Sequence, residues 1–419
     1  MNSIRSGRRR FLEQGAALAG LALGAAVPAS GQEAASEFRN PGPYGDRSRF
    51  VTSGRTDDQQ PRSQGQANFG RRKQTPLQDV TGIITPSPVH FIRSHTTLPD
   101  TDPKQYRLLI HGLVDRPLSF ILDDLKRLPS ESRIHFLECQ GNSSPDHRKS
   151  DFETVQGLHG GTSCSEWTGV PLSVLFSETG LKKEGSWLIS ESADGGKWTH
   201  SLPLAKALDD AMVVYGQNGE AVRPEQGYPV RLLVPGWEGP YSVKWLRQIK
   251  VVDEPYMPMH EAISHSIERP DLGNKSRWHN FLMPPKSLIT RPSGGQQLAG
   301  AGFYEISGLA WSGFGTVRRV EVSTDGGKVW KDAKLQGPVH RMAHTRFTFP
   351  WNWDGRETMI QARCTDEKGE IQPSLEELNK HWGITGKKTW QTMGHSFHFN
   401  AIQRWKVNGD GSVRDAMFV

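Results

Sequence analysis

The first half of the chain mixes strand-like and helix-like patterns. Short apolar runs typical of buried strands occur in RLLIHGLV, RIHFLEC, YPVRLLVPG and VKWLRQIKVVD. Apolar residues at helical spacing occur in LDDLKRL and LPLAKALDDA. Proline and glycine interrupt both patterns from LQDVTGIITPSPVHFIRSH onward. The mixture predicts an irregular α+β domain that begins at residue 77 and ends at residue 255.

The pattern changes after Leu288, where short alternating runs follow one another between Gly, Asp and Pro turns. These runs are SLITRPSGGQQL, FYEISGLAWS, RRVEVSTDGGKVW, TRFTFPWNW and ETMIQARCTDEKG. Their spacing predicts an immunoglobulin-like β-sandwich over residues 285–419, with a hairpin around Asp325-Gly326-Gly327. Because Cys364 is the only cysteine there, the sandwich lacks an inter-sheet disulfide. We expect its core to contain Trp311, Trp330, Trp351 and Trp353.

The N-terminus has the layout of a twin-arginine export signal. Three arginines, Arg8 to Arg10, precede an apolar stretch of small residues, and a cleavage point follows near residue 31. Residues 1–31 therefore predict export of a folded protein to the periplasm. Residues 32–76 are rich in Arg, Gln, Gly and Ser, so we expect a flexible linker or a surface arm. Residues 256–284 are expected to connect the two domains.

Composition excludes several classes of protein. With 419 residues and 35% hydrophobic content, the chain has room for two domains, and no segment reaches membrane-spanning length. The net charge of +6 fits an anionic substrate or an acidic partner. Basic residues are scattered along the chain, so no nucleic-acid surface is predicted. The absence of CxxC and CxxCH motifs excludes covalently attached haem and most zinc ribbons.

Cys139 stands at the end of RIHFLEC and enters a Gln-Gly-Asn turn. Three cysteines are an odd number for an oxidising compartment, so at least one is unpaired or bound to another group. A thiolate at the end of a strand can project into a cleft and is a soft metal ligand. The alternative is a small buried hydrophobic residue, the usual role of a free cysteine. The chemistry of the residue alone leaves both roles open.

Other residues of chemical interest are expected to be structural. Cys164 is predicted to be buried and inactive. The pairs His340 and His344, and His395 and His398, have spacings that could bind zinc on a helix, but they lie in β-type sequence.

Several long motifs carry a family resemblance. HFLECQGNSS, EWTGVPLSVL, EQGYPVRLLVPGWEGPYSVKWLRQIKV, SLITRPSG and RRVEVSTDGGKVW occur in this order. From about Leu77 to the C-terminus, the chain resembles the sulfite oxidase family of molybdenum enzymes. The resemblance implies a molybdopterin-binding domain over residues 77–255 and a dimerisation domain over residues 285–419. It also implies one molybdenum-molybdopterin cofactor per chain.

The resemblance implies roles for individual residues. Cys139 matches the molybdenum-ligating cysteine, while Arg93 and His95 match the stretch that lines the cofactor and receives an anionic substrate. The planar arginine fork can hold two oxyanion oxygens at once. Without the resemblance, several of the basic residues would be read as surface cations. Cofactor contacts are implied for Phe91, Arg93, His95, Asp194, Gln226, Arg231, Ser242, Val243 and Lys244, with Gln226 where sulfite oxidases have histidine.

The chain also departs from the family pattern. Ser143 and Ser144 follow the cysteine turn where sulfite oxidases carry arginine, and Arg148 is a candidate replacement. Where the family places a tyrosine near the metal, this chain offers Ser266, or His265 by direct counting. With less positive charge beside the metal, free sulfite is a poorer candidate than a sulfane carried on a protein.

Three functions follow as expectations. The first is a periplasmic dehydrogenase that oxidises sulfane sulfur on a carrier-protein cysteine and passes electrons to a c-type cytochrome. The second is a free sulfite dehydrogenase, and the third is a non-catalytic protein that binds partners. Because the chain has no haem motif, the electron acceptor is expected to be another protein. The resemblance further implies a homodimer formed through the C-terminal domain.

Overall fold

Strands outnumber helices in the part of the chain that the structure describes. The structure is a computed structural model that describes residues 44–45, 47–48, 50–57, 72–145, 154–263, 265–268, 277–279, 281–384 and 398–418. The chain divides into two units, Met1–Thr52 and Ser53–Val419. The predicted export signal lies outside the described residues, and every element described below belongs to the second unit.

The N-terminal half of this unit contains thirteen described strands and four described helices. The strands are β1 Thr56–Asp57, β2 Arg72–Gln74, β3 Ile92–Arg93, β4 Leu108–Gly112, β5 Leu118–Phe120, β6 Glu131–Glu138, β7 Thr162–Pro171, β8 Trp187–Ser192, β9 Thr199–Pro203, β10 Met212–Gln217, β11 Glu220–Ala221, β12 Arg231–Leu233 and β13 Leu246–Val252. The helices are α1 Leu122–Arg127, α2 Val155–His159, α3 Leu172–Thr179 and α4 Leu204–Asp209. Short 3₁₀ turns span Ser87–Val89, Pro224–Gln226 and Gly239–Tyr241.

Two five-stranded sheets dominate this half. One has the order β5-β4-β13-β8-β9, with β4 and β13 parallel. The other has the order β11-β10-β7-β6, with β12 beside β10. Apolar side chains from both sheets and from α3 form one core, including Leu108, Leu172, Phe176, Val213 and Ile249. Helices and strands thus share one hydrophobic core, which confirms the predicted α+β class.

The C-terminal half is a sandwich of two antiparallel sheets. Its described elements are α5 Met259–Ile263, β14 Ile267–Glu268, β15 Arg277–Trp278, β16 Lys286–Arg291, β17 Gly302–Trp311, β18 Val317–Ser323, β19 Lys331–Asp332, β20 Lys334–Leu335, β21 Thr345–Trp353, β22 Thr358–Asp366, α6 Leu375–Trp382, β23 Arg404–Val407 and β24 Val413–Asp415. One sheet has the order β16-β17-β21-β20 and the other β19-β18-β22-β23-β24. Their inner faces enclose a core that includes Ile306, Val320, Phe347, Ile360 and Trp405.

The structure of the sandwich agrees with the sequence prediction, with one exception. β18 and β19 form the expected hairpin, in which Gly326 and Gly327 take φ values of 79° and 93°. Such positive φ values favour glycine. Cys364 is a buried free thiol. The expectation for Trp330 was wrong: this side chain is only partly buried and lies 4.3 Å beneath the Arg363 guanidinium, because the hairpin projects from the core.

Part of the predicted linker has regular structure. β2 pairs with both β1 and β3, so Arg72 lies directly opposite Arg93. Gln74 and Thr75 are buried although the surrounding composition is polar. Among the described residues, no helix combines the length and the apolar character needed to cross a bilayer.

Strand β6 directs successive side chains toward the two halves of the unit. Phe136 packs against Trp311 of the sandwich, with ring centroids 6.3 Å apart. Leu137 points the other way, into a small apolar cluster with Trp167 and Leu233. Alternation along a strand produces this division. It continues past the strand end, because Glu138 bonds to the sandwich while Cys139 packs beside the small cluster.

Candidate active site

The Cys139 turn is held rigidly at its base. The Cys139 amide donates to Gly161 O at 2.9 Å, and its carbonyl accepts from the Asn142 amide at 2.9 Å. The Asn142 side-chain oxygen accepts from the Gly161 amide at 2.9 Å, and its amide nitrogen donates to Glu138. Cys139 itself is a half-buried free thiol. The turn therefore presents a sulfur ligand from a fixed backbone.

The thiol faces a cavity of about 440 Å³. This volume is in the range of sites that bind small molecules and cofactors. All ten site residues predicted from the sequence line it. The lining residues are Arg72, Phe91, Arg93, Ser94, His95, Leu137, Cys139, Gln140, Gly141, Ser192, Asp194, Trp198, Gln226, Arg231, Gly239, Pro240, Ser242, Val243, Lys244, Trp245 and His265.

Four cations, Arg72, Arg93, Arg231 and Lys244, line this cavity. Arg231 is buried, and its guanidinium donates to Gln226 O at 3.1 Å and to Ser242 O at 2.8 Å. Burial lowers the pKa of Arg231 to about 9. The Lys244 ammonium donates to Arg93 O at 2.8 Å. Burial, together with the positive charges of Arg231 and Arg93, lowers the pKa of Lys244 to about 7. Such a wall complements an anionic ligand.

An amide and a carboxylate complete the inner wall. Gln226, on the Pro224–Gln226 turn, donates its side-chain amide to Phe91 O at 2.8 Å. The Asp194 carboxylate accepts from Thr96 Oγ1 at 2.7 Å and from the Trp198 amide at 3.1 Å. These bonds fix the side chains at the positions where the sequence predicted cofactor contacts.

Aromatic rings form the other side of the cavity. His95 is exposed and stacks on half-buried Trp198 at 4.4 Å, and His260 stacks on Trp198 at 4.1 Å. Behind them, buried His265 stacks on His200 at 5.0 Å. Burial lowers the pKa of His265 to about 2, so this imidazole is neutral near pH 7. This wall adds polarisable surface without adding charge at His265.

The structure shows where the residues that depart from the family pattern lie relative to the cavity. His265 lines the cavity, whereas Ser266 donates to Ala262 O and is not a lining residue. Ser143 and Ser144 are buried away from the cavity, and Ser143 Oγ bonds to Lys286 and His159. The replacement cation considered for this position, Arg148, lies outside the described residues.

Two histidines and one cysteine that were expected to be structural are buried. His344 is buried and bonds to Thr162 Oγ1 at 2.9 Å, and His398 is buried beside Glu138. Cys164 is fully buried, and burial raises its pKa to about 12. No cluster of three or more metal-binding side chains occurs within the described residues. His395 lies outside them.

Sequence reasoning missed two parts of the site. Arg72 comes from the polar segment expected to be a linker, and only the β2–β3 pairing brings it to the cavity. Trp198 and Trp245 gave no signal because aromatic residues in a mixed domain usually belong to the core.

The cavity fits the cofactor that the resemblance implied. A soft thiol reaches it from one side, and cationic side chains anchored to backbone carbonyls reach it from the other. Gly239 lies so close to the cysteine that an added Cβ would come within 2.6 Å of Glu138 O. Fold and site together define a molybdopterin-binding oxidoreductase with a second, sandwich domain.

Comparisons with known proteins give the family. An oxidoreductase molybdopterin binding domain matches residues 95–259, and a Mo-co oxidoreductase dimerisation domain matches residues 279–395. The crystal structure of the sulfane dehydrogenase SoxCD from Paracoccus pantotrophus is 37% identical with a TM-score of 0.82, covering 93% of this chain and 96% of that chain. The chain belongs to the sulfite oxidase family of molybdenum enzymes.

The eukaryotic enzymes that the chain matches are longer than this chain. Mitochondrial sulfite oxidase of Rattus norvegicus is 31% identical over 337 residues, or 72% of this chain and 59% of that protein. An NADH nitrate reductase of Brassica napus is 32% identical over 307 residues, or 65% of this chain and 33% of that protein. The chain thus spans 59% of the length of the sulfite oxidase it matches.

Buried histidines predict a loss of stability in acid. His90 is fully buried, Nδ1 lies 3.1 Å from Phe91 O, and burial lowers its pKa to about 3 from a usual 6.5. Between these two values the unfolded chain binds a proton that the folded chain does not, so stability falls as pH falls. His90→Gln should reduce this dependence by about 1.4 kcal/mol per pH unit between pH 6 and 4.

Urea unfolding at a series of pH values measures this effect. Above pH 7 the variant and the wild type should show parallel pH profiles, which serves as an internal control. An identical slope between pH 6 and 4 in both proteins would contradict the burial of a neutral His90.

Proposed function

We propose that this chain is a periplasmic molybdenum-cofactor dehydrogenase that oxidises sulfane sulfur on a carrier-protein cysteine during thiosulfate oxidation. Electrons pass to a c-type cytochrome on another chain. The observation that carries the proposal is the Cys139 thiol in a cavity with one cationic and one neutral aromatic wall. The 37% identity with a sulfane dehydrogenase over nearly the whole chain supports the substrate class.

The residues would hold the cofactor from two sides. Cys139 would ligate molybdenum through its thiolate, and Arg231, Lys244 and the backbone at Ser242 and Val243 would hold the anionic pterin. When bound, the cofactor supplies oxygen-atom transfer to sulfur and storage for two electrons. Arg93 would orient an anionic oxygen of the substrate, because its planar fork stays charged.

The aromatic wall favours a carrier-bound sulfur. Free sulfite is a compact dianion whose binding improves with each additional cation, yet Ser143 and Ser144 add none and His265 is neutral. Trp198 and His265 instead offer polarisable surface, which suits soft sulfur. Exposed His95 stands where a cysteine-bearing segment of a partner could enter.

The partners follow from what the chain lacks and from its second domain. No CxxCH motif occurs in this sequence, which supports a cytochrome haem on another chain. The C-terminal domain would form a homodimer, as the match to a dimerisation domain supports. The arginine-led N-terminus supports export to the periplasm.

Substrate competition tests the proposal. Molybdenum content is measured first, and about one atom per chain is expected. Cytochrome reduction is then compared for sulfite and for a carrier protein loaded with a cysteine persulfide. The wild type should have the higher kcat/KM with the loaded carrier. Preference for sulfite would favour the sulfite dehydrogenase alternative, and folded protein without molybdenum would favour the non-catalytic one.

His265→Tyr tests whether the aromatic wall determines the preference between sulfite and the carrier. Tyrosine supplies a hydroxyl donor where the family has one, so the ratio of kcat/KM for sulfite to that for the carrier should rise about tenfold, roughly one hydrogen bond. His381→Tyr, on the exposed surface of α6, is the matched control and should leave the ratio unchanged. An unchanged ratio in His265→Tyr would contradict a role of this wall in specificity.

A further inference from the structure

A buried ion pair joins the cysteine turn to the sandwich. Glu138, the residue before Cys139, is fully buried, and its Oε1 accepts from Lys286 Nζ at 2.8 Å. Lys286 is the first residue of β16 and is 1% exposed. Burying both charges is costly unless every hydrogen bond is satisfied, so such a pair needs an explanation beyond stability.

The Glu138 carboxylate is fully satisfied. Oε1 also accepts from the Asn142 side-chain amide at 2.8 Å. Oε2 accepts from the Trp311 indole at 2.7 Å and lies 3.0 Å from His398 Nε2. Four partners fill the roughly four acceptor positions of a carboxylate. Glu138 is therefore held in one geometry, and its backbone leads directly into Cys139.

The Lys286 ammonium contacts the Cys139 turn at both ends. Its ammonium bonds to Glu138 before the cysteine and donates to Ser143 Oγ at 2.6 Å after it. Ser143 has a φ of 68°, a left-handed conformation that persists only where contacts enforce it. His159 Nδ1 lies 2.6 Å from the same hydroxyl, and His159 Nε2 lies 2.9 Å from Gln403 Oε1.

We propose that Lys286 is a positioning residue for the Cys139 ligand. It fixes the turn through both flanking residues, and it neutralises the Glu138 charge beside the thiolate. The second domain thereby sets both the position of the ligand and the local electric field of the centre. The inference rests on the proposed role of Cys139 as metal ligand, but it does not depend on which sulfur compound is the substrate.

The electrostatic part of the proposal predicts shifts of opposite sign. Lys286→Met keeps the aliphatic stem but leaves the Glu138 anion uncompensated, which should lower the reduction potential of the bound centre. Glu138→Gln removes the negative charge from beside the Lys286 ammonium and should raise the reduction potential. The double variant removes both charges, so its potential should return close to that of the wild type. A merely structural defect would not reverse sign between the two single variants.

Redox titration of the purified holoenzyme, followed by electron paramagnetic resonance of the half-reduced centre, is the experiment. Lys286→Met should also change the resonance parameters, and Lys286→Arg should largely restore them. Arg346→Met is the matched control, because Arg346 is a buried sandwich cation that donates to Val80 O and Gly82 O at 2.8 and 2.7 Å, away from the turn. It should leave potential and spectrum unchanged.

The outcomes separate this inference from the proposed function. An unchanged potential in Glu138→Gln, together with a wild-type spectrum in the double variant, would overturn the role of Lys286, even if Lys286→Met fails to fold. A Cys139→Ser holoenzyme with the wild-type spectrum would instead overturn the ligand assignment itself. Shifts of equal sign in both single variants would also overturn the electrostatic role.

Discussion

Replacing Cys139 with serine is expected to abolish turnover in a protein that still folds. A hydroxyl is a harder and far less acidic donor than a thiol, so it cannot replace the thiolate at a soft metal centre. Residues that act behind a metal ligand cost roughly 10–100-fold when they are removed. Loss of the ligand should exceed this range and reach a thousandfold or more, roughly, in kcat. The turn should persist, because backbone bonds to Gly161 hold it.

The measurement is cytochrome reduction with saturating substrate, with molybdenum content and circular dichroism recorded on the same sample. Cys164→Ser provides the matched control, since it makes the same chemical change at a fully buried thiol outside the cavity. It should retain near wild-type turnover. A Cys139→Ser protein with wild-type turnover would show that another group ligates the metal.

Much of this site was predictable because its signals are local. The apolar run before Cys139 predicted a strand, its end at a turn left a projecting or a buried thiol open, and the resemblance assigned the thiol as a ligand. The motifs around Arg231 and Lys244 are continuous stretches, so the resemblance assigned cavity positions to both, and the structure places both there. The sandwich was predictable for the same reason, since alternating runs and Gly-containing turns act within a few residues.

Contacts between distant segments were not predictable in this way. Glu138 and Lys286 are separated by 148 residues, and neither lies in a pattern that distinguishes a buried ion pair from two surface charges. Arg72 reaches the cavity only because β2 pairs with β3. Ser143 was interpreted as a lost cation, whereas its hydroxyl contacts one, the Lys286 ammonium. The sequence alone therefore could not show that Ser143 is held in the turn by a residue of the second domain.

The electrostatics of the cavity also needed the fold. Histidines near an anion-binding site could add positive charge, and the sequence offers His95 and His265 beside Arg93. The structure buries His265 among other rings, and the surrounding protein together with Arg93 lowers the pKa of His95 to about 3, so both imidazoles are neutral near pH 7. The number of cations that face the substrate thus depends on burial. Burial in turn depends on α5, whose start and end could not be predicted from residues 256–284.

Arg231→Met is expected to remove the cofactor and to destabilise the protein. The Arg231 guanidinium connects two turns, because it donates to Gln226 O at 3.1 Å and to Ser242 O at 2.8 Å, and it lies 5.2 Å from the Trp167 ring. Methionine keeps the stem but leaves two buried carbonyls without this donor, at a cost of roughly 2–5 kcal/mol. Both turns carry cavity residues, so the anionic cofactor loses a cation and a rigid wall together.

Molybdenum and pterin content per folded chain, with urea unfolding of the same protein, measures both effects. Arg231→Lys keeps the charge but cannot bridge two carbonyls with one planar fork, so it should retain part of the cofactor. Arg346→Met removes a comparable pair of bonds in the sandwich and should lower stability while leaving cofactor content unchanged. Full cofactor content in Arg231→Met would mean that this arginine supports the fold alone, and the cationic wall would then reduce to Arg72, Arg93 and Lys244.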